Sequence, residues 1–362
     1  MKIDIIAGAR PNFIKISSII NAINLEKNKG SNISFRLIHT GQHYDKNMSE
    51  SFFKQLGIPN PDYNFNAGSG TQAEQTSKIM ISYESLLINN STDLCLVVGD
   101  VNSTMACSIV AKKFNIKVAH VEAGIRSYDM TMPEEINRLL TDSITDYFFT
   151  TSKYANKNLR NLGVNEKNII FVGNTMIDTL LKQIPNLIKP SFFDKICLKK
   201  EKYFVLTLHR PFNVDQIDLL EETLLTIDKN VKNYPVIFPT HPRTLKTISK
   251  LGIVFKNIVQ VDPMSYLEFN FLVKNSKCVI TDSGGITEEA TVMNIPCMTL
   301  RDNTERPETI FEGTNELVGT NPKKIPDFLR LLFENKWKKG NIPQLWDGKT
   351  GTRIVNYLLS IQ

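Results

Sequence analysis

Short, almost wholly apolar runs alternate with amphipathic helical stretches along this chain, and that alternation leaves few folds open. In the first half the runs fall at residues 3–7, 34–39, 94–98, 118–121, 147–150 and 169–172, bounded by Gly, Asn and Asp. Helical patterns such as 73–88 and 104–114 lie between them. Strands that are apolar on both faces and separated by helices predict a parallel sheet covered on both sides. A less regular stretch containing Lys and Pro, 183–202, interrupts the pattern, which restarts at 203–208, 236–239, 258–261, 278–281 and 296–300. The expected architecture is two doubly wound α/β domains, 1–180 and 181–350, with a linker near 180–200. A C-terminal helix in 351–362, with no strand after it, can pack back on the first domain. Ligands of open parallel sheets lie beyond the carboxyl ends of the strands, so the expected site is the cleft between the domains.

At 362 residues the chain can build two such cores. Its net charge of +6 is spread along the sequence and suits an anionic small molecule. No basic run with interleaved aromatics marks a nucleic-acid groove. The five cysteines (Cys95, Cys107, Cys197, Cys278, Cys297) form no CxxC pair and the five histidines lie far apart, so neither a metal site nor a disulfide framework is predicted. The start, MKIDIIAGARPNF, lacks the apolar region of a signal peptide, and no apolar stretch approaches the length of a membrane span. The expectation is a cytoplasmic protein with no membrane association.

The polar residues that follow the strands carry the chemistry. Residues 282–289 read DSGGITEE. Gly284 and Gly285 let backbone N–H groups approach a phosphate, and the helix N-terminus adds partial positive charge. Ser283 can cap that helix and donate its hydroxyl, and one of Glu288 and Glu289 can grip the hydroxyls of a ribose. An ordinary capped helix is the alternative. Arg10 and Lys15, after the first strand, can reach a phosphate, although alone they also read as surface cations beside a turn. Thr40 to His43, including Gln42, is rich in hydrogen-bond donors. Asp100 ends one strand and can equally cap the next helix. Glu122 ends another, and a glutamate at the tip of a buried strand has no routine structural task. Glu134 and Glu135 open the helix bearing Asn137 and Arg138, where acids also complement the helix dipole. In the second domain His209-Arg210 and His241-Pro242-Arg243 follow successive strands, and the RDNTERPE segment adds Arg306.

Such a set suits inversion of a carbon next to an anomeric centre. Direct removal of a non-acidic C–H proton is too costly. Expelling a nucleotide diphosphate from the neighbouring carbon builds oxocarbenium character and acidifies that C–H. A carboxylate can then take the proton, leaving a glycal. Re-addition of the diphosphate with protonation from the opposite face gives the epimer, and this requires acid/base groups on both faces.

The motifs GARPNFIK, TGQH, GDVNST, HVEAGIRS, MPEEINR, VGNTMID, LHRPFN, HPRT, DSGGITEE and RDNTERPE run in this order over nearly the whole chain. Together they resemble the non-hydrolysing UDP-N-acetylglucosamine 2-epimerase family. That resemblance implies two Rossmann-like domains of the GT-B type and interconversion of UDP-GlcNAc and UDP-ManNAc without a cofactor, in a homodimer. It implies acid/base roles for Asp100, Glu122 and Glu134, with His209 beside the leaving diphosphate. Arg10, Ser283, Gly284, Gly285 and Arg306 then hold UDP, Glu289 its ribose, and Phe269 its uracil, with Lys15 a further substrate-binding candidate from its place beside Arg10. Gln42, His43, Glu135 and Arg210 match positions that bind a second, activating UDP-GlcNAc. The segment Arg210-Pro211-Phe212-Asn213 departs from the family's usual two arginines and a glutamate, which bears on effector contacts and sugar preference. Relatives acting on diacetamido-uronic or 6-deoxy sugars share most of these motifs. The alternatives are a hydrolysing 2-epimerase, a glycosyltransferase and a UDP-sugar sensor.

Overall fold

The computed structural model describes residues 1–41, 50–240 and 242–362. They form two compact units, Met1–Lys182 with Gln344–Gln362, and Gln183–Pro343. The strands of the first unit are β1 (Lys2–Ala7), β2 (Ser34–His39), β3 (Tyr63–Asn64), β4 (Leu94–Val98), β5 (Lys117–Val121), β6 (Tyr147–Thr150) and β7 (Ile169–Phe171). Among the described residues they make one parallel sheet, in the order β3-β2-β1-β4-β5-β6-β7. All five residues of β4 are buried, as a strand covered on both faces requires. The helix Gln72–Asn89 starts at a Thr71–Glu74 capping box, which fixes its first turn.

The second unit contains β8 (Phe204–Thr207), β9 (Val236–Pro239), β10 (Ile258–Val261), β11 (Cys278–Thr281), β12 (Cys297–Thr299) and β13 (Asn315–Leu317), again parallel, in the order β10-β9-β8-β11-β12-β13. Two apolar clusters form its core, one built on Phe204, Leu206 and Ile280, the other on Val205, Val279 and Leu272. Alternate residues of β8 and β11 divide between the clusters, because successive strand side chains point to opposite faces. The sequence pattern contains no signal for β3 or β13. These strands are two and three residues long; β3 is exposed, and β13 (NEL) lacks an apolar run.

The chain returns to the first unit at Gln344, ahead of the expected helix start at 351 and inside the expected second domain. Trp346 is the reason: it is buried, and its Nε1 donates to the Thr151 carbonyl at 3.0 Å. The last helix, Thr350–Ser360, packs on Arg10–Asn28. Gly351 permits the approach, since a Cβ there would collide with the Ser18 carbonyl. Its N–H donates to Asp178 at 2.8 Å.

Both sheets reverse strand order in the middle, between β1 and β4 and between β8 and β11. Crevices at such reversals are where doubly wound proteins bind ligands. The predicted motifs GAR and GD follow β1 and β4, while HR and DSGG follow β8 and β11.

Candidate functional site

In the first unit a charged cluster assembles at the ends of β4 and β5. Glu122 directly follows β5 in the left-handed region (φ +67), uncommon for a glutamate, and is fully buried. Lys15 Nζ donates to its Oε2 at 2.7 Å. Arg138, also fully buried, donates Nη1 to the Glu122 carbonyl (2.9 Å) and Nη2 to Asp100 Oδ2 (2.7 Å), and lies 3.6 Å from Glu122 Oε2. The Asp100 backbone carbonyl accepts from Asn137 Nδ2 at 2.9 Å. One helix, Pro133–Ile144, therefore orients both carboxylates through successive residues. Asn12 pins the opposing loop: its Oδ1 accepts from Gly8 and Ala9 N–H, and its Nδ2 donates to Val98 O.

Beside this cluster a pocket of about 350 Å³ is lined by Asp100, Asn102, Glu134, Asn137, Gln72 and Gln75. Asp100 and Glu134 share it, whereas Glu122 does not line it. Lys15, expected at a phosphate, is committed to Glu122. Glu135, expected at an effector, is buried with its Oε2 accepting from the N–H and Oγ of Ser127 at 2.7 and 3.0 Å. Arg10 stands half-buried at the start of its helix. Gln42 and His43 lie outside the described residues, as does His241.

In the second unit Asp282 organises the end of β8. Its carboxylate accepts from the N–H of His209 and Arg210, from Asn213 Nδ2 (3.0 Å), and from His209 Nδ1 (2.7 Å). Burial alone would raise the Asp282 pKa, but the His209 and Asn213 hydrogen bonds outweigh it and hold the group below the usual range. With Nδ1 engaged, the mostly exposed His209 offers Nε2 to a ligand. Arg210 lies 3.6 Å from Glu305. The helix Gly284–Val292 begins just beyond, with Ser283 as its N-cap residue. The expected side-chain cap is absent: no hydrogen bond runs from the Ser283 hydroxyl into the first turn, and its N–H donates to Thr281 Oγ1 instead. The first-turn N–H groups thus keep their capacity for an anion. A Cβ on Gly284 would meet nothing within 4 Å, so the fold leaves open space over that backbone.

Behind the loop Arg306 donates to Glu288 Oε1 at 2.6 Å, both buried. Glu289 accepts from Tyr266 Oη at 2.7 Å, and burial pushes its pKa up to about 7. Phe269 packs half-buried on the core cluster with Val261 and Met264. A second pocket, about 580 Å³, opens at the start of its helix against Val261, Asp262, Met264 and Glu268. Sequence reasoning missed Asp282 and Asn12 as positioning residues, and also Asp142, whose buried carboxylate accepts from Gly124 N–H and Arg126 Nη2. For Asp282 the signal, a buried carboxylate accepting several N–H groups, exists only once β8 and β11 are neighbours, whereas Asn12 accepts within its own turn and only its bond to Val98 O needs the fold.

Two Rossmann-like doubly wound units, each with polar residues gathered where its strand order reverses, define a nucleotide-binding class of α/β protein. Within that class the chain belongs to the UDP-N-acetylglucosamine 2-epimerase family, whose model matches residues 25–359. A UDP-N-acetylglucosamine 2-epimerase of Methanocaldococcus jannaschii is 44% identical over 371 residues, covering 99% of both chains. The solved structure of a Methanocaldococcus jannaschii UDP-GlcNAc 2-epimerase in complex with UDP-GlcNAc and UDP superposes with a TM-score of 0.88 at 42% identity, over 99% of this chain and 100% of that one. A UDP-2,3-diacetamido-2,3-dideoxy-D-glucuronate 2-epimerase of Pseudomonas aeruginosa is 40% identical over 368 residues, with complete coverage of both. Among the described residues, no helix is long and apolar enough to cross a membrane, and no cluster of His, Cys, Asp or Glu is arranged to hold a metal ion.

Proposed function

We propose that this protein interconverts UDP-GlcNAc and UDP-ManNAc by eliminating UDP to a 2-acetamidoglucal and adding it back. A carboxylate of the first unit takes the C2 proton while the C1–O bond breaks and its electron pair leaves with UDP. The first-turn N–H groups at Gly284 and Gly285, together with Ser283, Arg10 and Arg306, hold the diphosphate, and His209 Nε2 serves its leaving oxygen. Glu289 grips the ribose and Phe269 backs the uracil. Return of UDP to C1, with a proton delivered to the other face of C2, completes the inversion. Asp100, Glu122 and Glu134 are the acid/base set. Charge balance is conserved, and no redox step is needed.

The observation that carries this reading is the joint grip of Arg138 on Asp100 and Glu122, with Lys15 on the latter. Two carboxylates are thereby held close together, beside a pocket that Glu134 also lines. A homodimer and activation by a second UDP-GlcNAc belong to the same reading. Glu135, spent on Ser127, would then act on the effector region by fixing the loop at Ser127.

The test is incubation of purified protein with UDP-GlcNAc in deuterated water, followed by NMR. Deuterium at C2 of recovered UDP-GlcNAc and UDP-ManNAc is the expected result. Accumulation of UDP with free sugar would instead mean a hydrolysing enzyme, and absence of exchange would end the proposal. The Pseudomonas aeruginosa relative favours a second reading, a UDP-2,3-diacetamido uronic acid as substrate. Running both sugars in parallel distinguishes the two by kcat/KM.

A further inference from the structure

His120 is the fourth residue of β5 and is completely buried. Both of its ring nitrogens meet acceptors: Nδ1 lies 2.7 Å from Asp142 Oδ1, and Nε2 lies 2.8 Å from the Gly99 carbonyl oxygen. A neutral imidazole carries one N–H and would leave a ring lone pair pressed against an oxygen lone pair in one of these contacts. With Asp142 ionised, the two hydrogen bonds coexist only when both nitrogens are protonated. Asp142 provides the countercharge, and its Oδ2 also accepts from Gly124 N–H (3.0 Å) and Arg126 Nη2 (2.6 Å). Burial would raise the Asp142 pKa, but His120 and Arg126 outweigh it and hold the group low.

The acceptor matters because Gly99 immediately precedes Asp100. Gly99 occupies the left-handed region (φ +73), and with no Cβ its own ψ does little to resist a flip of the peptide plane that follows. A flip would swing the Gly99 carbonyl away and re-aim the next residue. Asn137 holds the Asp100 carbonyl and Arg138 its carboxylate, both from the helix Pro133–Ile144. Asp142 of the same helix reaches the other end of the loop through His120.

We propose that His120 is an imidazolium that locks the Gly99–Asp100 peptide and so aims the Asp100 carboxylate. It is a positioning residue of the epimerase site, and its catalytic consequence rests on the function proposed above. Two substitutions separate this role from a general packing role. In His120→Asn the amide nitrogen stands near the Nδ1 position and reaches only Asp142. In His120→Gln it stands near the Nε2 position and reaches Gly99. His120→Asn should lower kcat about 100-fold with KM changed less than about threefold, the scale of a misaimed catalytic group, whereas His120→Gln should stay within about tenfold of wild type. Equal losses in the two variants, or a loss carried by KM, would overturn the proposal.

A second measurement needs no substrate. In wild-type protein labelled with 15N-histidine, long-range 1H–15N correlation at pH 7 should show both His120 nitrogens protonated, the signal being assigned by its disappearance in His120→Asn. One unprotonated ring nitrogen refutes the imidazolium, whatever the activity. An inactive wild-type enzyme with a doubly protonated His120 would refute the epimerase reading and leave the clamp standing.

Discussion

Lys15 and Glu122 form an ion pair of 2.7 Å with side-chain exposures of 10% and 0%. Neither charge can turn to water if its partner is lost. Removing one member of a buried pair typically costs ~3–5 kcal/mol. Lys15→Met should therefore destabilise the protein by roughly 3 kcal/mol, the low end, because Arg138 stays near Glu122. It should lower kcat as well. The double variant Lys15→Met/Glu122→Gln should regain stability in urea denaturation yet remain inactive. Recovery of both would mean that Glu122 is structural.

Acid/base work by a positioned carboxylate is worth about 10²- to 10⁴-fold. Glu122→Gln and Asp100→Asn should each lower kcat by that order. C2 hydrogen exchange should persist in only one direction of the reaction for whichever variant keeps the acid serving the opposite face. Deuterium exchange, followed separately from UDP-GlcNAc and from UDP-ManNAc, reads this out. Unchanged exchange in both variants would remove them from the mechanism.

The glycines separate ligand room from folding room. Gly284→Ala meets no protein atom within 4 Å and should leave the melting temperature within about 2 °C of wild type, while UDP affinity by calorimetry falls at least about tenfold. Gly351→Ala should do the reverse, loosening the last helix from Ser18 and lowering the melting temperature with little effect on UDP affinity.

Glu289 and Glu308 are buried carboxyls whose pKa burial raises from 4.5 to about 7. Between those values the native state holds protons that the unfolded chain has shed. Their stabilising contribution is complete below pH 4.5 and is lost as pH rises through about 7, at most ~3 kcal/mol per group. Among the described residues neither Glu308 oxygen has a hydrogen-bond partner, so Glu308→Gln should flatten this slope without unfolding the site. Denaturation midpoints at pH 5 and 7.5 measure the difference. An unaltered slope would place the titration elsewhere.

Tyr266 donates to Glu289 at 2.7 Å and so favours its charged form. Tyr266→Phe should weaken UDP binding by about tenfold at pH 7, the scale of one hydrogen bond to a charged group, and move the pH at which affinity rises upward. Calorimetric titrations of UDP at pH 6, 7 and 8 decide it. Parallel curves for the two proteins would detach Glu289 from the ribose.

Alternating apolar runs and helices, with a break at 183–202, sufficed to declare two parallel-sheet domains, because a strand buried on both faces has no other stable setting. The motif order likewise announced the family, and the glycines of DSGG led to the anion cradle that the proposed function uses. Which strands stand side by side was beyond the sequence, since pairing is a long-range outcome of packing. For that reason the meeting of Lys15 with Glu122, of Arg138 with Asp100, and of Asp282 with His209 appears only in the tertiary structure. Local patterns specify which groups are present at strand ends. The fold decides which of them are spent on one another and which remain to do chemistry.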